Sequence, residues 1–131
     1  MFAIVLRLFA AVCGIVAVTH IALGVAGDWI VGAPVASAID PSLDSQNRFY
    51  GAAFGIYAAL LWLAATDIAR YALILRILFI ALFVAGCARL LSIEAYGLPS
   101  AQVMMLMGTE LAFPPLLWLW LNHQLRRKDA R

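Results

Sequence analysis

Glu110, Arg89, His20 and Arg48 are the ionisable side chains of this chain whose types and positions could do chemistry together. Glu110 lies near the middle of a run that is otherwise apolar from Val103 to Leu121. A run of that length reads as a membrane-crossing helix, and an ionisable group inside one is costly to bury, so it marks a partner or a function. Glu110 can give or take a proton, and His20 can shuttle or tune one. Arg89 and Arg48 offer guanidinium donors to an anionic or carbonyl-bearing head. Glu110, Arg89 and His20 are therefore the candidate catalytic residues. Arg48, Asn47, Gln46, Ser92 and Asp44 are the candidate ligand-binding residues.

The elements that must position these groups follow from composition and from breakers. The chain has 131 residues, 66% of them hydrophobic and 12% charged, and its mean hydropathy is +0.97. Soluble domains carry about a quarter charged residues, and one of this size has too little interior for so much apolar surface. An integral membrane protein is expected. Arg7 ahead of an apolar run resembles a signal peptide, but the run is nearer a full span than a signal core. The first span is placed at about 3–26. A loop at about 27–40 follows, with Trp29 suited to the headgroup level and a short interfacial or re-entrant turn near 31–39.

Asp40-Pro41 is a helix start: Asp40 can cap, and Pro41 fits the first helical position. The second span is placed at about 46–66. Asp67-Ile68-Ala69-Arg70 is a tight connection, and the third span covers about 71–93. Gly97 and Pro99 break the chain before a fourth span at about 101–122, and a polar tail at 123–131 is expected to fray. Pro114 has no N–H for the carbonyl of Glu110, and Pro115 has none for that of Leu111. The fourth helix should kink there, beside its buried acid. Arg7, Arg70, Arg76 and the cluster from Arg126 to Arg131 fall on one side, with Asp28, Asp40, Asp44 and Glu94 on the other. The positive-inside rule then puts both termini in the cytoplasm.

Each polar group also shares a stripe with small residues, the faces on which membrane helices pack closely. His20 lies with Ala10, Cys13, Ala17 and Gly24; Arg48 with Gly51, Gly55 and Ala59; Arg89 with Ala81, Ala85 and Ser92. Side chains lean toward the N-terminus of their own helix. That tilts Arg89 and Glu110 toward a common depth and leaves Arg48 at the rim, with Asp44 one turn away. The expected architecture is all-α, a single membrane domain over 1–131 forming an up-down-up-down four-helix bundle.

Several chemistries lack their residues. There is no metal-ligand spacing, no phosphate-cradling glycine loop and no acyl-transfer serine motif, so no cofactor and no metal are expected. A net charge of +2, concentrated in the tail, signals topology rather than nucleic acid. Cys13 and Cys87 sit in apolar segments and read as small buried hydrophobes.

The stretch from Asp40 to Ala52 contains Asn47-Arg48-Phe49-Tyr50-Gly51. Together with Ala88-Arg89-Leu90-Leu91-Ser92, and with Glu110 ahead of Pro114-Pro115, it resembles a bacterial family of four-span membrane proteins. That family is domain of unknown function 4345, among the DoxX-like proteins, and the resemblance covers nearly the whole chain. It implies the four-span fold, the bacterial inner membrane, and Asn47, Arg48, Gly51, Arg89, Ser92 and Glu110 as motif positions. It implies no activity; membrane redox or quinone-linked partners follow only by analogy at the level of fold.

The expected function is a polar intramembrane pocket for a lipid-like small molecule such as an isoprenoid, a quinone or a sterol-like compound. If it is catalytic, it is an acid–base isomerase or hydratase working through Glu110. The competing expectation is a structural subunit of a larger membrane complex, in which the same residues form a buried ion-pair network. Homo-oligomers are compatible with either.

Overall fold

The computed structural model describes residues 1–34 and 38–129. Among them every regular element is helical: α1 (Phe2–Leu23), a 3-10 turn (Gly24–Val31), α2 (Pro41–Ala64), α3 (Ala72–Tyr96) and α4 (Ala101–Asp129). Residues 35–37, part of the turn expected near 31–39, lie outside the described residues.

Local chemistry accounts for most boundaries. α1 ends at Gly24, whose φ of 57° suits a residue without a Cβ. A side chain there would also fall on the Asp44 carboxylate. The expected start of α2 is observed. Asp40 Oδ1 accepts from the N–H groups of Ser42 (2.8 Å) and Leu43 (3.0 Å), and Pro41 occupies the first helical position. The connection to α3 is tight, closed by the Arg70 N–H donating to Asp67 Oδ1 at 3.1 Å. At the head of α4 the Ser100 hydroxyl accepts from the Val103 N–H at 3.3 Å and donates to the Gly32 carbonyl at 2.7 Å. That pins the α3–α4 connection to the end of the 3-10 turn.

α4 differs from expectation at its C-terminus. The segment expected to fray after residue 122 is helical through Asp129. It contains no breaker, its arginines suit the negative end of the helix dipole, and Leu125 packs against the core. The helix also runs unbroken through Pro114 and Pro115.

One hydrophobic cluster draws on all four helices, with Phe2 and Leu6 from α1, Leu61 and Ala64 from α2, Leu75 and Phe79 from α3, and Leu117 and Leu121 from α4. The beginnings of α1 and α3 therefore meet the ends of α2 and α4. The Phe2 and Trp120 rings are 5.0 Å apart. Packing is densest within two pairs, α1 with α2 and α3 with α4, and sparser between them.

Apolar residues also face outward. Ile4, Leu8, Val12, Ile15 and Val18 form an exposed stripe along α1, as do Leu73, Ile77, Ile80, Val84 and Leu91 on α3. Stripes of that extent on a water-soluble surface would be an aggregation hazard. Among the described residues three helices are long and apolar enough to cross a membrane: Phe2–Val31, Ala72–Tyr96 and Ala101–Arg127. α2 is less apolar because its first third holds Ser42, Asp44, Ser45, Gln46, Asn47 and Arg48. The chain has the build of a membrane protein.

The α1–α2 pair closes most tightly at Gly51. A Cβ there would lie 2.9 Å from His20 Cβ and from the Ile21 nitrogen, and 3.0 Å from the Ala17 carbonyl oxygen. At Gly55 the same atom would meet only Ala17 Cβ, at 3.7 Å. Alanine is favoured over glycine in a helix by about 1 kcal/mol. The two substitutions should therefore differ in sign: Gly55→Ala holds or raises the melting temperature in detergent, whereas Gly51→Ala lowers it by forcing α1 and α2 apart. Thermal unfolding of the two variants beside the parent checks this.

Candidate functional site

Glu110 and Arg89 meet because α3 and α4 approach closely at Gly86. A Cβ at Gly86 would lie 3.1 Å from Glu110 Cβ and 3.0 Å from Leu111 Cγ, so any larger residue would push the acid away. Arg89 is one turn further along α3 than Gly86. Its Nε donates to Glu110 Oε2 at 2.7 Å. Glu110 is only 5% exposed, whereas the Arg89 side chain is 39% exposed. Among the described residues neither Nη of Arg89 has a hydrogen-bond acceptor, so one edge of the guanidinium is open.

His20 is 8% exposed and belongs to a second cluster. Its Nδ1 is 2.8 Å from the Val16 carbonyl, an acceptor, so Nδ1 carries a proton. Its Nε2 faces Asp28 Oδ1 at 3.4 Å, a contact that becomes attractive when the ring is an imidazolium. Asp28 Oδ1 also accepts from Asn47 Nδ2 at 2.7 Å. The carboxylate thus ties the 3-10 turn to both α1 and α2.

These two clusters line one half-enclosed cavity of about 750 Å³. His20, Asp28 and Asn47 come from the α1–α2 side, Arg89 and Glu110 from the α3–α4 side. Thr109 and Tyr50 also line it. The rest of the wall is apolar and includes Val5, Phe9, Phe54, Leu82, Leu106 and Phe113. From Val5 to His20 the α1 wall rises about 22 Å at 1.5 Å per residue. The cavity is therefore long and polar at one end. Leu8 and Val12 line it and also belong to the outward stripe of α1, so it opens sideways between helices.

The structure brings together Glu110, Arg89, His20 and Asn47 of the expected site. It engages Arg48 and Asp44 elsewhere. Arg48 Nη1 donates to the carbonyls of Ile21 (2.7 Å) and Ala22 (3.2 Å), and its Nε donates to Asp44 Oδ2 at 2.8 Å. Asp44 Oδ1 in turn accepts from the Val25 N–H at 3.1 Å. The pair satisfies backbone groups that α1 leaves without partners at its C-terminus and does not line the cavity. Gln46 and Ser92 are exposed and lie outside it too.

Sequence reasoning missed Asp28, Gly86 and Thr109. The available signal for Asp28 was Gly24 and Gly27 between it and His20, a spacing that lets the chain fold back. At Gly27 a Cβ would lie 3.1 Å from the Thr19 carbonyl oxygen.

A family model described as domain of unknown function, DUF4345, matches residues 1–121. No curated protein and no solved structure matches the chain.

Two expected outcomes follow from the paired charges. Removing one partner of a buried pair leaves the other uncompensated, whereas replacing both with apolar residues is often tolerated. Arg89→Leu should therefore lower the melting temperature in detergent, and Arg89→Leu with Glu110→Leu should recover most of the loss; a double-mutant cycle measures it. The second concerns pH. The Arg48 side chain, and then the Val25 N–H, hold the Asp44 carboxyl below its ordinary value of 3.8. The Leu43 and Ser42 N–H groups do the same for Asp40. A depressed pKa contributes stability that is present above the unfolded value and lost as pH falls through the folded one. The melting temperature should fall as pH drops below about 4, and less steeply in Asp44→Asn.

Proposed function

The chain belongs to the DUF4345 family, and from its cavity we propose that it binds an amphipathic, lipid-like small molecule such as an isoprenoid, a quinone or a sterol-like compound. The observation that carries this is a cavity of about 750 Å³ that is polar at one end, apolar along its length and open sideways. Ligand pockets are commonly apolar with a few convergent polar groups, and a lateral opening suits a ligand that arrives from the hydrocarbon. The protein works as an up-down-up-down four-helix bundle in the bacterial inner membrane with both termini cytoplasmic. In this arrangement α2 crosses beside the three more apolar helices, and α4 bends at Pro114-Pro115. The polar end of the cavity then lies toward the outer leaflet.

In this reading Arg89 holds the ligand head through its open edge, and Glu110 fixes the guanidinium. Glu110 and His20 stand on opposite walls, an arrangement suited to giving a proton at one position and removing one at another. Chemistry at the site would be an isomerisation or a hydration.

The Arg89–Glu110 contact at 2.7 Å also favours a second reading, a self-contained ion pair in an accessory subunit of a larger membrane complex. Mass spectrometry of the organic extract from detergent-purified protein separates the two. One enriched non-phospholipid species in the parent, lost in Glu110→Gln, is the expected result. Bulk phospholipid alone in both would overturn the ligand reading and favour the subunit.

A further inference from the structure

The charges lining the cavity narrow the ligand head more than the residue types alone. Arginine-rich polar sites suggest anions, and with Arg48 and Arg89 together an anionic head is a natural expectation. The geometry removes one of those cations and adds an acid. Arg48 is held by Asp44 and by the end of α1, while Asp28 joins the lining. What remains is one arginine, two carboxylates and one imidazole. With both carboxylates ionised, as their contacts with Arg89 and Asn47 favour, the lining carries one net negative charge when His20 is neutral and none when it is protonated. In neither state does it offer net positive charge to a phosphate or a carboxylate, whose desolvation in an apolar groove would go uncompensated.

Hydrogen-bonding capacity points the same way. The open edge of Arg89 consists of donors only, so it needs an acceptor on the ligand. On the facing wall Asp28 Oδ1 accepts from Asn47 and lies 3.4 Å from His20 Nε2, while Oδ2 has no hydrogen-bond partner among the described residues and can accept from a ligand donor. Two walls with opposite requirements suit a head with a carbonyl at one edge and an O–H or N–H at the other.

Building on the ligand reading above, we propose that the cavity selects neutral lipids whose head combines a hydrogen-bond acceptor for Arg89 with a donor for Asp28, and that it rejects anionic lipids of the same chain length. Amides, hydroxy-ketones and partly reduced quinones can present this pattern without net charge; phosphates and carboxylates are anionic.

Three probes of equal chain length test it on the full chain in lipid nanodiscs: dodecanamide, dodecyl phosphate and dodecane. Binding is read by the shift in melting temperature and by displacement of a fluorescent fatty-chain reporter. Dodecanamide should bind at least about tenfold more tightly than dodecyl phosphate, a difference of about 1.4 kcal/mol, with dodecane weaker than the amide. Asp28→Asn removes one negative charge and replaces an acceptor-only carboxylate with an amide that also donates, so it should shrink that ratio. Equal or tighter binding of the phosphate by the parent would overturn the selectivity and leave the lipid pocket standing. Failure of all three probes, together with an extract holding only bulk phospholipid, would overturn both.

Discussion

A carboxylate that is 5% exposed within an apolar helix needs a partner, and the α3–α4 half of the site follows from meeting that need. A carboxylate so little exposed is poorly solvated, so a donor from the protein offsets the cost. Arg89 supplies it at 2.7 Å, and it can reach only because Gly86 lets the two helix backbones close up. The same three residues fix one wall of the cavity. The opposite wall is built by a parallel device: Gly51 brings α2 against α1 beside His20, and Asp28 folds in to join His20 to Asn47. In each pair the glycine sits next to the polar residue, so close approach and polar satisfaction are achieved at one place.

Features decided locally were legible in the sequence. The Asp40-Pro41 start of α2 depends on residues two and three positions away, and the apolar runs set the other helices. The Arg89–Glu110 pairing was also legible, although its members are 21 residues apart. Helix geometry tilts both side chains to one depth, and the fourth apolar run offers Glu110 no alternative partner of its own. The far end of α4 was misjudged because polarity was taken for fraying, whereas Leu125 is anchored on the core.

Two site assignments needed coordinates. Arg48 looked like a ligand-holding arginine by residue type, but its acceptors are the carbonyls of Ile21 and Ala22. Every residue has a carbonyl, so no pattern of side chains reveals such a contact. Asp28 looked like a loop acid on the outer side. Its role depends on a 3-10 turn doubling back over the end of α1, a path set by glycines rather than by hydrophobic period. Exchanging Arg48 for Asp28 changes the charge of the lining.

The order of residues in the Arg89–Glu110 pair also bears on how the chain is made. His20, Asp28 and Asn47 all belong to the first half, so that cluster can be complete before α3 leaves the ribosome. Arg89 is synthesised 21 residues ahead of Glu110. For that interval the Arg89 guanidinium has no Glu110 to meet, so the α3–α4 half of the site closes only once α4 has been made.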